Sequence, residues 1–267
     1  MFNYHEMSSD HRLRSYIRKF WIIDNPSQAT ITKQALPNAC ITLAFVSGQG
    51  LIVDFPNNAS CMTSGSYLVG ELTRKVGVTV LPYTKAFMVQ LNPWAASLLS
   101  KCSFHELTNQ FTPILEINKT LALKFREIDI LDNMEARLLI QKTLADYFYP
   151  SATSAFIAEC FHLFDCHPTA IPFKLNHLST PTRYSIRGIE KKFRQHLGLT
   201  PKHAFAIMNI RKVVNELMIP DNPISLTSLA YKYGYTDQAH FTKSYLAIME
   251  SLPSRFIKAQ YILPLQT

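Results

Sequence analysis

The run Gly234-Tyr235-Thr236-Asp237-Gln238-Ala239-His240-Phe241-Thr242-Lys243 carries the densest set of groups able to do chemistry in this chain. Read as a helix, it turns Tyr235, Phe241 and Tyr245 inward as apolar anchors and leaves Gln238, Ala239, Thr242 and Lys243 on another face. Amide, hydroxyl and ammonium groups so arranged can enter a major groove and hydrogen-bond to base edges. Thr236 and His240 complete this candidate face, Thr236 also as the expected helix cap. A second, more basic set lies upstream in Ser185, Arg187, Glu190, Lys191 and Arg194. Glu190 has two readings. It is either a solvated carboxylate beside Arg187 and Lys191, or an acceptor for a cytosine N4 amino group.

Other candidate chemistry is weaker. Cys160, His162, Cys166 and His167 are metal-ligand types, but on a helix Cys160 and His162 point apart and no C-x-x-C pair closes the set. No metal or cofactor is expected. The five cysteines are odd in number and scattered, which fits free thiols better than a disulfide framework. There is no glycine-rich phosphate loop, no Gly-x-Ser-x-Gly elbow and no His-Glu-x-x-His helix, so nothing asks for catalysis. The expectation is a protein that is not an enzyme.

The elements that must hold the candidate faces are short helices. Ser185–Leu197 stops at Gly198, and Pro201 opens a long helix to about Ile219. Pro220-Asp221-Asn222-Pro223 interrupts. Leu226–Tyr233 ends at Gly234, whose freedom at positive φ suits a sharp turn into the next helix, to about Met249. Pro253 starts a final one. Leu226, Leu229 and Ala230 supply a packing face, while Ala204, Ile207, Ile210 and Val214 do so on the long helix. Arg211 and Lys212 are expected to put charge near a DNA backbone. Nineteen residues, Pro201–Ile219, span roughly 28 Å as a helix. That is close to the ~34 Å between successive major-groove faces.

The first hundred residues read as β-rich, with turns at Ser47–Gly50, Asn57-Asn58 and Leu81-Pro82. After Pro93 the spacing predicts helices over Trp94–Leu107, Asn133–Tyr149 (capped by Asn133) and Thr153–Phe164. His167-Pro168-Thr169-Ala170-Ile171-Pro172 is the expected linker. Charge changes there. Residues 1–171 hold 14 basic and 14 acidic side chains, and 172–267 hold 13 and 5, so the whole formal +8 lies in the C-terminal part. Such an excess attracts a polyanion. The opening residues lack a signal peptide's apolar core, and no apolar run would span a bilayer, so a cytoplasmic protein without membrane partners is expected. The basic residues interleave with helix packing positions and do not gather on one amphipathic face, which disfavours membrane-surface binding.

Here the sequence resembles the AraC/XylS family of bacterial transcription activators. Leu229–Tyr245 resembles the family's second helix-turn-helix, with Pro253 at the place of its post-helix proline. Ser185, Arg187, Ile189, Lys191, Phe193, Gly198, Thr200 and Pro201 match the pattern of its first, and Arg211 falls where its connecting helix carries an arginine. Four positions depart from the pattern: Asn38 and Ala39 where the family has the Asp-Gly of a Pro-Asp-Gly loop, Arg183 at a turn glycine, and Glu250 at a stop glycine. Pro181 also interrupts the first unit's leading helix. Leu13–Trp21, Ala35–Phe45 and Tyr67–Arg74 resemble a sensor-type domain found in one branch of the family.

The resemblance implies an α+β protein. A β-rich, barrel-like sensor or dimerisation domain with appended helices would cover 1–167. An all-α domain with two helix-turn-helix units joined by a long helix would cover 173–267. It implies double-stranded DNA and RNA polymerase as partners, with a small-molecule effector and a homodimer as further expectations. The competing reading is a small-molecule-binding or protein-interaction module whose basic C-terminal domain binds DNA only weakly. A ligand cavity, or a side-chain-filled interior, separates the roles open to the N-terminal domain.

Overall fold

The computed structural model describes residues 2–56, 58–100, 102–128, 132–219 and 224–262. The Asn57 position of one expected turn and the Pro220–Pro223 break lie outside them. Among the described residues, ten strands form two antiparallel sheets that do not close into a barrel. The first is ordered β1 (Asn3–Met7), β2 (Ile17–Asn25), β9 (Thr84–Leu91), β4 (Thr42–Ser47), β7 (Gly65–Val69), β10 (Phe111–Pro113). The second is ordered β3 (Ile31–Ala35), β8 (Val76–Val80), β5 (Leu51–Asp54), β6 (Ala59–Met62).

The six-stranded sheet is buried on both faces, and its sequence alternates accordingly. Phe20 and Ile22, Leu43 and Phe45, and Phe87, Val89 and Leu91 join a core beneath the appended helices. Their neighbours Ile23, Ala44, Val46, Ala86 and Met88 face the second sheet. Near-continuous apolar runs are what a doubly covered sheet requires.

Helices α1 (Ile114–Ile117), α2 (Lys119–Lys124) and α3 (Asn133–Ala145) cover the outer face. The cap of α3 is Asp132, not Asn133, and Glu135 completes a capping box. Trp94–Leu107 is not a helix. It holds two short 3₁₀ turns, Ala96–Leu98 and Phe104–Leu107. The indole N–H of Trp94 donates to the Ser15 carbonyl (2.6 Å) and Asn92 donates to the Arg14 carbonyl (2.9 Å), which ties the segment to the sheet. Its apolar residues Ala95, Ala96, Leu99, Phe104 and Leu107 still reach the core, so the spacing is satisfied without helical geometry.

Helix α4 (Ala152–Cys166) precedes the linker, yet its Phe156, Ile157, Cys160, Phe161 and Phe164 share one core with the C-terminal helices. Phe161 stacks on Phe193, with ring centroids 6.2 Å apart. Those helices are α5 (Asn176–Thr182), α6 (Ile186–Leu197), α7 (Pro201–Leu217), α8 (Leu226–Lys232) and α9 (Gln238–Met249). Ala204, Ile207, Ile210 and Val214 of α7 are all at most 1% exposed. The helix has 17 residues, so it spans about 26 Å.

Candidate nucleic-acid interface

Two helix pairs, α5–α6 and α8–α9, build the candidate interface around α7. In the second pair, Ser225 caps α8 by accepting from the Ser228 N–H (3.1 Å). The chain turns at Gly234, with φ +74°. A Cβ there would lie 2.7 Å from the Thr169 carbonyl oxygen and 3.0 Å from that of Ile171, so the linker packs against the turn. Asn209 of α7 donates to the Tyr233 carbonyl (2.9 Å) and fixes the turn from the other side. Asp237, not Thr236, caps α9, accepting from the His240 N–H at 2.7 Å, and that bond holds its carboxyl below the usual range. The Thr236 hydroxyl instead pairs with Asp237 and with His240 Nδ1 (3.2 Å).

Phe241 and Tyr245 are fully buried. Thr236, Gln238, Ala239, His240 and Lys243 are exposed and Thr242 is half-buried, so the second candidate set shares one accessible face. Thr227 of α8 donates to Gln238 Oε1 (2.8 Å), which leaves the amide N–H groups as the outward donors.

In the first pair, Ser185 caps α6 through the Gly188 N–H (3.2 Å), and Gly198 ends the helix at φ +77°. Ile189, Phe193 and Leu197 are buried. Ser185, Arg187, Lys191 and Arg194 are exposed and Glu190 is half-buried, without an ion pair among the described residues. The preceding α5 has only seven residues, no side-chain cap and Pro181 inside it; it turns at Arg183 in the left-handed region, φ +59°.

Arg211, expected to put charge near a DNA backbone, turns inward instead. It lines a cavity of about 130 Å³ between the two sheets. Trp21, Leu51, Val53, Met62 and Met88 give that cavity apolar walls, and Lys19 and Arg211 give it cations. Burial and the neighbouring Arg18 guanidinium lower Arg211 to about 10, which leaves it charged near neutrality. Lys19 is paired with Glu6 at 2.8 Å, whereas Arg211 has no ion pair among the described residues.

The Cys160–His167 segment is dispersed. Cys160 is buried, Cys166 lies 3.6 Å from His162 Nε2 on the surface, and His167 turns to His177. Among the described residues no group of three or more metal-ligand side chains assembles, and no helix is long and apolar enough to cross a membrane.

Asn209, Thr227 and Asp237 were not singled out by sequence reasoning. Asp237 has the ordinary signal of an acidic N-cap. Asn209 offers one weak signal, a polar residue inside an apolar helix face.

Residues 178–259 match a helix-turn-helix domain family, and residues 5–113 match a domain of unknown function. No curated protein matches the sequence. Solved structures similar to the chain include the following three. ToxT from Vibrio cholerae is 10% identical, with 95% of this chain and 96% of that one covered and a TM-score of 0.48. The C-terminal domain of AraT, a response regulator from Geobacillus stearothermophilus, is 15% identical over 44% of this chain and 95% of that one, with a TM-score of 0.37. The AraC-like transcriptional activator CuxR is 7% identical over 80% and 86%, with a TM-score of 0.30.

Proposed function

We propose that this chain, whose residues 178–259 form an AraC-type helix-turn-helix domain, is a sequence-specific DNA-binding transcription regulator controlled through its N-terminal part. One observation carries the reading: each pair presents an exposed polar face from a capped helix whose apolar face is locked in the core. In this reading Gln238, Ala239, Thr242 and Lys243 reach base edges, with Thr236 and His240 at the helix entrance. Ser185, Arg187, Glu190, Lys191 and Arg194 occupy a neighbouring groove segment. Residues 173–267 act as the DNA reader, with α4 lending its apolar face, and residues 1–167 as the sensor.

Genome-wide binding maps of the full chain, with and without Lys243→Ala, test this. Discrete peaks sharing a sequence, weakened in the variant, are expected. A map without discrete peaks for the unaltered chain refutes sequence-specific binding.

The cavity supports a second element of the reading. Apolar walls with a cation held in place fit a small molecule that joins an apolar body to an anionic group. A 130 Å³ space matches a compact ligand, close to the size that accepts benzene in an engineered protein core. Arg211 belongs to the long helix of the reader, so such a ligand touches both parts at once.

A further inference from the structure

The β7–β8 connection, residues 70–75, touches more of the reader than its length suggests. Its own anchoring is firm. Gly70 packs so closely on Leu107 that a Cβ would lie 1.8 Å from that carbonyl oxygen. Asn109 accepts from the Thr73 N–H (2.8 Å) and donates to the Thr73 hydroxyl (2.9 Å).

From this base the segment reaches two places in the reader. The Thr73 carbonyl accepts from His203 Nε2 (3.0 Å) in the first turn of α7. The Lys75 N–H donates to the Ile248 carbonyl (2.8 Å) at the end of α9. Arg74 pairs with Glu250 at 2.6 Å. Glu250 closes α9 in the left-handed region, φ +49°, a conformation that costs a non-glycine residue about 1–2 kcal/mol. The adjoining segment holds α6: the Thr108 hydroxyl donates to the Gly198 carbonyl (3.1 Å). Both recognition helices are therefore held at their C-terminal ends by one block of the N-terminal part.

The same connection borders the cavity. Val69, Leu72 and Val76 are wall residues, so Leu72 faces the cavity while Thr73, Arg74 and Lys75 face the reader. We infer that residues 70–75 are the transmission element. Displacement of Leu72 by a molecule in the cavity shifts the contacts to α7 and α9, and the Arg74–Glu250 pair is the tie that gives way. This rests on the DNA-binding reading above. The pair is about 40% exposed on each side, in the range where ion pairs contribute little by themselves. A weak tie that a ligand can break is what a switch needs.

Coupling between two sites is reciprocal, so DNA binding must be felt in the cavity wall. Trp21 lines the cavity and one other tryptophan, Trp94, lies outside it. In a full-length Trp94→Phe protein, saturating target DNA is expected to shift Trp21 emission. Arg74→Glu should reduce that shift at least twofold, and Arg74→Glu with Glu250→Arg should restore it. Glu250→Gly, which removes the pair and relieves the backbone, should reduce it as Arg74→Glu does and guards against a misfolded charge variant. DNA binding without any Trp21 response, or an undiminished response in both single variants, overturns the transmission role and leaves the DNA-binding reading intact. Absence of DNA binding overturns both.

Discussion

The two helix pairs resolve the same geometric problem at opposite ends. Each needs a left-handed residue at its turn and another at its stop. The second pair has glycine at the turn, Gly234, and Glu250 at the stop; the first has Arg183 at the turn and Gly198 at the stop. In the second pair the strained residue lies beyond the reading face and is met by Arg74. In the first it sits in the turn that aims the reading helix, two residues after Pro181, and no side chain caps α5. The first pair instead leans on α4, with Lys192 over the rings of Phe156 (5.6 Å) and Tyr184 (5.3 Å). Strain placed at a stop leaves the reading geometry free, whereas strain placed in a turn is borne by it. Under the proposed function, the second pair is therefore expected to be the more precise reader and the first the supporting one.

The harshest test of that ranking is Gly234→Ala. The new Cβ meets the Thr169 carbonyl at 2.7 Å in a left-handed backbone, so a loss of about 2 kcal/mol or more is expected. Footprinting should then show only the half-site of the first pair. An intact footprint would mean that the second pair does not dominate.

Next come the reading faces. Gln238→Ala or Lys243→Ala should each cost about 1–3 kcal/mol and relax preference at one or two base positions. Arg187→Ala should cost less and weaken all sequences alike, as a phosphate contact does. A larger, sequence-dependent loss at Arg187, read by anisotropy on matched and mismatched duplexes, would invert the comparison.

Relieving strain should separate the pairs more gently. Arg183→Gly is expected to stabilise by about 1 kcal/mol, or roughly 2–4 °C in a thermal melt. Glu250→Gly should gain less, because it also loses Arg74. Equal gains would show that the ion pair contributes nothing.

The smallest effect is common to both pairs, because they share a floor. Glu71 is 1% exposed with neither carboxylate oxygen partnered, and burial raises its pKa well above the usual carboxylate value. A carboxyl raised on folding favours the folded state fully below its unfolded pKa. That contribution is lost as pH rises from there through the folded pKa. Melting temperature should therefore fall over that window, and Glu71→Gln should flatten the fall. An unchanged slope in the variant would remove Glu71 as its cause.

Much of this arrangement is legible in the sequence where one residue decides one conformation. Gly198 and Gly234 act locally, and helix ends follow from them, whereas the expected caps Asn133 and Thr236 each lie one residue from the actual caps, Asp132 and Asp237. The three positions where the resemblance leads one to expect glycine are more instructive. Ala39, Arg183 and Glu250 all keep positive φ, at 55°, 59° and 49°. The backbone retains the turn that glycine would ease, and of the three only Ala39 is buried. For Glu250 the compensation is Arg74, 176 positions earlier, and no local reading connects them. Arg211 failed for the same reason. Its place in a basic helix suggests DNA, while its environment is set by a sheet cavity remote in sequence. Trp94–Leu107 failed because apolar spacing records which residues are buried, not the backbone that buries them.

The last described residues carry one more consequence. Tyr261 lies parallel to Gln34, Ile262 donates to the Gln34 carbonyl (2.8 Å), and Lys33 Nζ donates to the Ala259 carbonyl (2.6 Å) across 226 positions. Strand β3 is the edge of its sheet, and this late segment is what covers that edge. On a ribosome adding about 5–20 residues per second, the cover arrives roughly 10–45 s after the edge itself. Through that interval an open edge can recruit strands from neighbouring nascent chains, and Lys33 is the kind of charged residue that discourages such pairing. Replacing Lys33 with an apolar residue would therefore act first on yield during synthesis, before any change in the finished protein.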